Sequence, residues 1–103
     1  MSKFIKVAQT SELSPGTAKV VQADGLTIAL FNVAGTFCAI DNTCSHEGGP
    51  LGEGELSGEV VTCPWHSAEF NVRTGEALSP PADEAVRRFP VTIQGNDILV
   101  DVD

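Results

Sequence analysis

Turn-forming residues punctuate this chain at intervals of about 8 to 12 residues, a cadence that belongs to antiparallel strands and leaves little room for a helix. The turns fall at Ser14–Gly16 (SPG), Ala23–Gly25 (ADG), Ala34–Thr36 (AGT), Arg73–Glu76 (RTGE) and Gln94–Asp97 (QGND). Each offers a residue that tolerates positive φ or is preset for a bend. The runs between them are rich in β-branched and aromatic residues. They predict strands over Phe4–Ala8, Ala18–Gln22, Leu26–Val33, Thr36–Ile40, Glu59–Cys63, Ala68–Val72, Phe89–Ile93 and Ile98–Val102. At 103 residues the chain has the size of one domain with one core. The expectation is a single all-β domain over 1–103, built of stacked antiparallel sheets as a small sandwich or barrel.

Two regions interrupt the cadence. Cys44–Gly58 (CSHEGGPLGEGELSG) holds five glycines and a proline in fifteen residues and offers few side chains to a core. Leu78–Ala85 (LSPPADEA) sets two prolines side by side where no ladder strand can run. Both read as loops held by something other than apolar packing, and long loops inside a compact domain are usually functional.

The first of these loops also carries unusual chemistry. Both histidines of the chain sit two or three residues after a cysteine, in the pattern C-x-H-x16-C-x2-H formed by Cys44, His46, Cys63 and His66. Thiolate and imidazole are the donors that zinc and iron prefer, and two turns can each present such a pair to one centre. Structural zinc sites usually keep cysteines with cysteines and histidines with histidines, whereas each pair here is mixed. A mixed pair on each loop suits a two-iron cluster in which one iron has two cysteine ligands and the other two histidines. Zinc and iron–sulfur both remain open at this level. The third cysteine, Cys38, lies in an alternating run (TFCAI) and reads as a small core residue.

Charge is distributed unevenly around these residues. From Asp41 to Glu84 there are nine acids (Asp41, Glu47, Glu53, Glu55, Glu59, Glu69, Glu76, Asp83, Glu84) and one base, Arg73, while the rest of the chain balances five acids with five bases. The net charge of −8 therefore belongs to the segment with the Cys/His pairs. It repels nucleic acid and anionic membrane surfaces and attracts a partner with a basic face. Arg73 is expected to bond locally, and Arg87 and Arg88 to balance neighbouring acids at a strand start. MSKFIKVAQTSEL lacks the apolar core of a signal peptide, and runs such as IALF are too short to span a bilayer, so a soluble cytoplasmic protein with reduced thiols is expected.

CSHEGGPLGEG and CPWHSAEFNVRTGEALSPPADEAVRRFPV resemble the two cluster-binding loops and following strands of Rieske ferredoxins, the small electron carriers of bacterial ring-hydroxylating dioxygenase systems. The resemblance runs from about Phe37 to Val91. It implies the Rieske fold, with a cluster-binding subdomain at about 41–85 and the histidines at its solvent-facing tip. By position, Cys44 and Cys63 are implied as ligands of the buried iron and His46 and His66 of the outer iron of one [2Fe–2S] cluster, with Pro80 and Pro81 in a proline loop over it. Trp65 is read as packing over the cluster loop, and Ser67 stands where the family usually has glycine. High-potential members, in cytochrome bc-type complexes, add a disulfide between the loops and a serine and a tyrosine in the second loop. The matching positions here hold Gly49, Trp65, Ala68 and Phe70.

With both histidines used as ligands, none remains for the mononuclear iron of a terminal oxygenase, and no glycine-rich dinucleotide fingerprint is present. The expected role is therefore not catalysis but one-electron transfer. A monomeric carrier would take electrons from a flavin-containing NAD(P)H reductase and pass them to a terminal Rieske oxygenase in aromatic hydrocarbon catabolism. The chain resembles, less closely, the Rieske-like small subunit of assimilatory nitrite reductases. A zinc-stabilised interaction module without redox activity is the third reading.

Overall fold

The computed structural model describes residues 3–43, 50–64, 68–78 and 85–103. Its strands are β1 (Phe4–Gln9), β2 (Ala18–Ala23), β3 (Leu26–Val33), β4 (Thr36–Asp41), β5 (Glu55–Ser57), β6 (Val60–Thr62), β7 (Glu69–Asn71), β8 (Arg88–Phe89), β9 (Val91–Gln94) and β10 (Asp97–Asp101). They form three antiparallel sheets in the orders β1-β10-β9, β2-β3-β4-β8 and β5-β6-β7. Two short 3-10 turns, Thr10–Glu12 and Leu51–Glu53, complete the described elements. Among the described residues no helix is long and apolar enough to cross a membrane.

The sheet containing β3 is the middle layer. Along β3 the side chains of Ile28 and Leu30 pack with Ala8, Val21, Ile98 and Val100, while Ala29, Phe31 and Val33 pack with Leu51, Val61, Phe70 and Val72. Every residue from Ile28 to Val33 is buried, because successive side chains meet a different neighbouring sheet. That explains why this strand reads as a continuous apolar run rather than an alternating one. Its one buried polar member, Asn32, donates from Nδ2 to the Leu13 carbonyl at 2.8 Å and accepts from the Gly35 N–H at 2.7 Å. Both hairpins of this layer close with two residues of positive φ, Asp24/Gly25 (53° and 79°) and Ala34/Gly35 (50° and 95°). Such turns match the twist of the strands they join.

Two sequence-based expectations need correction. Phe89–Ile93 is not one strand: Phe89 pairs with Ala39 in the middle sheet, whereas Val91 pairs with Val100 in the outer one. Pro90 lies at the crossing, where its missing N–H interrupts the ladder. The Cys44–Gly58 segment is not wholly a loop, since it contains the second 3-10 turn and β5, which pairs with β6 from Glu55↔Thr62 to Ser57↔Val60. Leu56 is the only large apolar residue of β5. The strand forms by pairing, not by its own pattern. The Arg87 guanidinium donates to the Val102 carbonyl at 3.2 Å and to the Asp103 backbone oxygen at 3.4 Å, and lies 4.5 Å from the centre of the Phe89 ring.

Candidate metal centre

The small sheet β5-β6-β7 brings several chain segments to one of its ends. Its last row is Glu55↔Thr62↔Glu69, and Leu78 joins the same row by donating its N–H to the Glu69 carbonyl at 2.8 Å. The described chain runs on from that row to Cys63 and Pro64 after Thr62, and enters it through Ala68 before Glu69. Gly54, which enters β5 there, is packed so closely that an added Cβ would overlap the Thr62 carbonyl oxygen and reach the Leu51 carbonyl at 3.2 Å. The segments that flank residues 44–49, 65–67 and 79–84 thus share one end of the sheet by topology.

Cys63 stands immediately after β6. It faces the same side as Val61, two residues earlier, and is 2 % exposed within the apolar cluster of Leu51, Val61, Ala68 and Phe70. Its N–H donates to the Ala68 carbonyl at 2.7 Å, which closes the base of the second Cys/His loop and sets Ala68 opposite Cys63. Cys44, His46 and His66 lie outside the described residues, as do Gly49, Trp65, Ser67, Pro80 and Pro81. Among the described residues alone no three metal-ligating groups come together, and these hold only one of the four candidate ligands.

The base of the first loop is held by Asn42, a residue the sequence reading passed over. Thr43 and Pro50 face each other across a bridge, and the Leu51 N–H donates to the Asn42 carbonyl at 2.7 Å. Asn42 Oδ1 accepts from the Gly52 N–H at 2.7 Å, and the Asn42 N–H reaches the Thr27 carbonyl at 3.1 Å. One side chain therefore ties the exit of the loop to its entry. An asparagine immediately before a glycine-rich stretch was the available signal, since its side chain commonly mimics a backbone turn. Asn42→Ala should leave the half-buried Gly52 N–H without its acceptor and cost about 1 kcal/mol, read from chemical denaturation of the intact protein. An unchanged midpoint would show that water replaces the clamp.

Cys38 is 8 % exposed in β4 and belongs to the apolar core, and burial raises its thiol pKa against the lowering effect of Arg73 and Arg88. Arg73 bonds locally, its Nε to Glu59 at 2.8 Å, while the other Glu59 oxygen accepts from Asn71 at 3.1 Å. Glu53 and Glu55, exposed at the loop end of the small sheet, have no ion-pair partner among the described residues.

Residues 3–90 match the family described as the Rieske [2Fe–2S] domain. The biphenyl dioxygenase ferredoxin subunit of Pseudomonas sp. (strain KKS102) is 42 % identical over 99 residues, covering 95 % of this chain and 91 % of that one. The ferredoxin in a complex of reduced oxygenase and oxidized ferredoxin of carbazole 1,9a-dioxygenase superposes with a TM-score of 0.90 at 34 % identity, covering 95 % of this chain and 92 % of that one. A structure assigned as a nitrite reductase NADPH small subunit superposes with a TM-score of 0.80 at 20 % identity over 95 % of this chain and 97 % of that one, a likeness of fold alone.

Proposed function

Because this chain belongs to the Rieske [2Fe–2S] family, we propose that Cys44, His46, Cys63 and His66 hold its cluster and that it serves as a one-electron carrier to a ring-hydroxylating oxygenase. The observation that carries the reading is the near end-to-end match to a dioxygenase ferredoxin subunit. Family membership favours iron and sulfide over the zinc-stabilised module, and the mixed Cys/His donor set suits that cofactor. Such a cluster supplies a couple that accepts and releases one electron. The chain's contribution is to bury Cys63 in an apolar pocket, to brace the loop bases through Asn42 and Ala68, and to surround the loop end with acids.

Glu55 and Glu69 flank Thr62 on the face away from the core, and Glu53 lies just before them. In the proposed role these carboxylates steer encounter with basic patches on a flavin-containing NAD(P)H reductase and on the oxygenase, in the cytoplasm. Screening lengths are about 8 Å at physiological ionic strength, so added salt should slow the bimolecular electron transfer severalfold. Stopped-flow reduction by the reductase over a range of salt concentrations tests this. A rate indifferent to salt, and to Glu53→Gln with Glu55→Gln, would overturn acidic steering.

A further inference from the structure

The edge of β4 is left open where β8 ends. β8 covers only Ala39 and Ile40, because Pro90 takes the chain away to the outer sheet. Residues 37, 39 and 41 turn their backbone groups toward this edge: the Asp41 N–H donates to the Arg87 carbonyl at 2.9 Å, and Asn32, opposite Phe37, directs its own N–H and carbonyl to Thr17 and Gly16. The Phe37 N–H therefore faces the gap, and among the described residues it has no acceptor.

The gap is a cleft of about 260 Å³ whose lining includes Phe37, Cys38, Val72, Arg73, Arg88 and Phe89. Two of the six cationic side chains of a chain with net charge −8 meet at this one concavity. Arg73 is shared with Glu59, whereas Arg88 has no ion-pair partner among the described residues. A guanidinium, an unsatisfied edge amide and an apolar wall are the parts of a carboxylate site.

The geometry points to this cleft as a binding site for a small organic carboxylate. The carboxylate lies between Arg88 and the Phe37 N–H, and the apolar body of the ligand lies against Phe37 and Val91, the half-buried apolar residues of the lining. Its volume is just below the usual range for ligand pockets of about 300–1,000 Å³, which suits one ring and excludes a nucleotide or flavin. The site is separate from the metal centre. Phe37 is six residues from Thr43 along the strand, about 20 Å at the usual rise, so occupancy leaves the loop end free. The assignment does not depend on the carrier reading.

The test is titration of the oxidised, cluster-loaded protein with benzoate, followed at the Phe37 amide by NMR, with benzyl alcohol and acetate in parallel. Saturable shifts at Phe37 with benzoate alone are expected. Arg88→Gln should weaken the affinity at least about tenfold with an unchanged visible spectrum. Equal affinity for benzyl alcohol, affinity unchanged in Arg88→Gln, shifts confined to the loop end, or no saturation would each overturn the assignment.

Discussion

Replacing Cys63 by alanine is expected to yield a colourless protein without iron or labile sulfide, and Cys44→Ala should do the same. Cys63 ends β6 with 2 % exposure, in an apolar surround to which water has no ready access. Neither water nor a neighbouring side chain can replace the thiolate there. Cys38→Ala is the matched control, because Cys38 is equally a buried cysteine of the same core but sits in β4. It should keep full colour and lose only packing, about 1 kcal/mol or less. Since a bound metal contributes its binding energy to folding, the two colourless variants should also unfold at lower denaturant than the wild type. The measurements are visible absorption, iron and sulfide content and a denaturation curve. Bleaching by Cys38→Ala with colour retained in Cys44→Ala or Cys63→Ala would reverse the ligand assignment.

A wild-type midpoint near the low end of the Rieske range, about −150 mV rather than about +300 mV, is the second large expectation. Hydrogen bonds to sulfur favour the more negative, reduced cluster, and this chain has no tyrosine to provide one. Ala68 and Phe70 are fully buried on the inward face of the second loop and β7. Ala68 lies directly opposite Cys63, where the Cβ atoms of paired residues are about 4.5–5.5 Å apart, so a serine hydroxyl at that position is within reach of the Cys63 sulfur, the proposed ligand. A bond worth about 1 kcal/mol more in the reduced state raises a one-electron potential by about 40 mV. Ala68→Ser should therefore raise the midpoint by tens of millivolts, and the double change with Phe70→Tyr by more. Voltammetry checks both values, alongside a denaturation curve, because a hydroxyl left unbonded in this core would cost about 1–3 kcal/mol. A wild-type midpoint well above zero, or an Ala68→Ser protein of unchanged potential, would refute the hydrogen-bond argument.

What could be read from sequence was encoded within a few neighbouring residues. Alternation and turn chemistry placed β3 at Leu26–Val33 and set the other long strands to within a residue at each end, since those signals depend only on what lies two to four positions away. The spacing of Cys44, His46, Cys63 and His66 was legible for the same reason, as was the core role of Cys38. Tertiary structure decided which edges and faces were covered. It recruited Glu55–Ser57 as a strand by pairing it with β6, and it split the run around Pro90 between two sheets. It also made Asn42 a clamp on residues nine and ten positions ahead, set Arg73 against Glu59 fourteen residues earlier, and opened the β4 edge beside Arg88. Each of these outcomes depends on groups brought together from distant parts of the chain. Their energies come from hydrogen bonds and packing that exist only once the layers have stacked, so no local pattern records them.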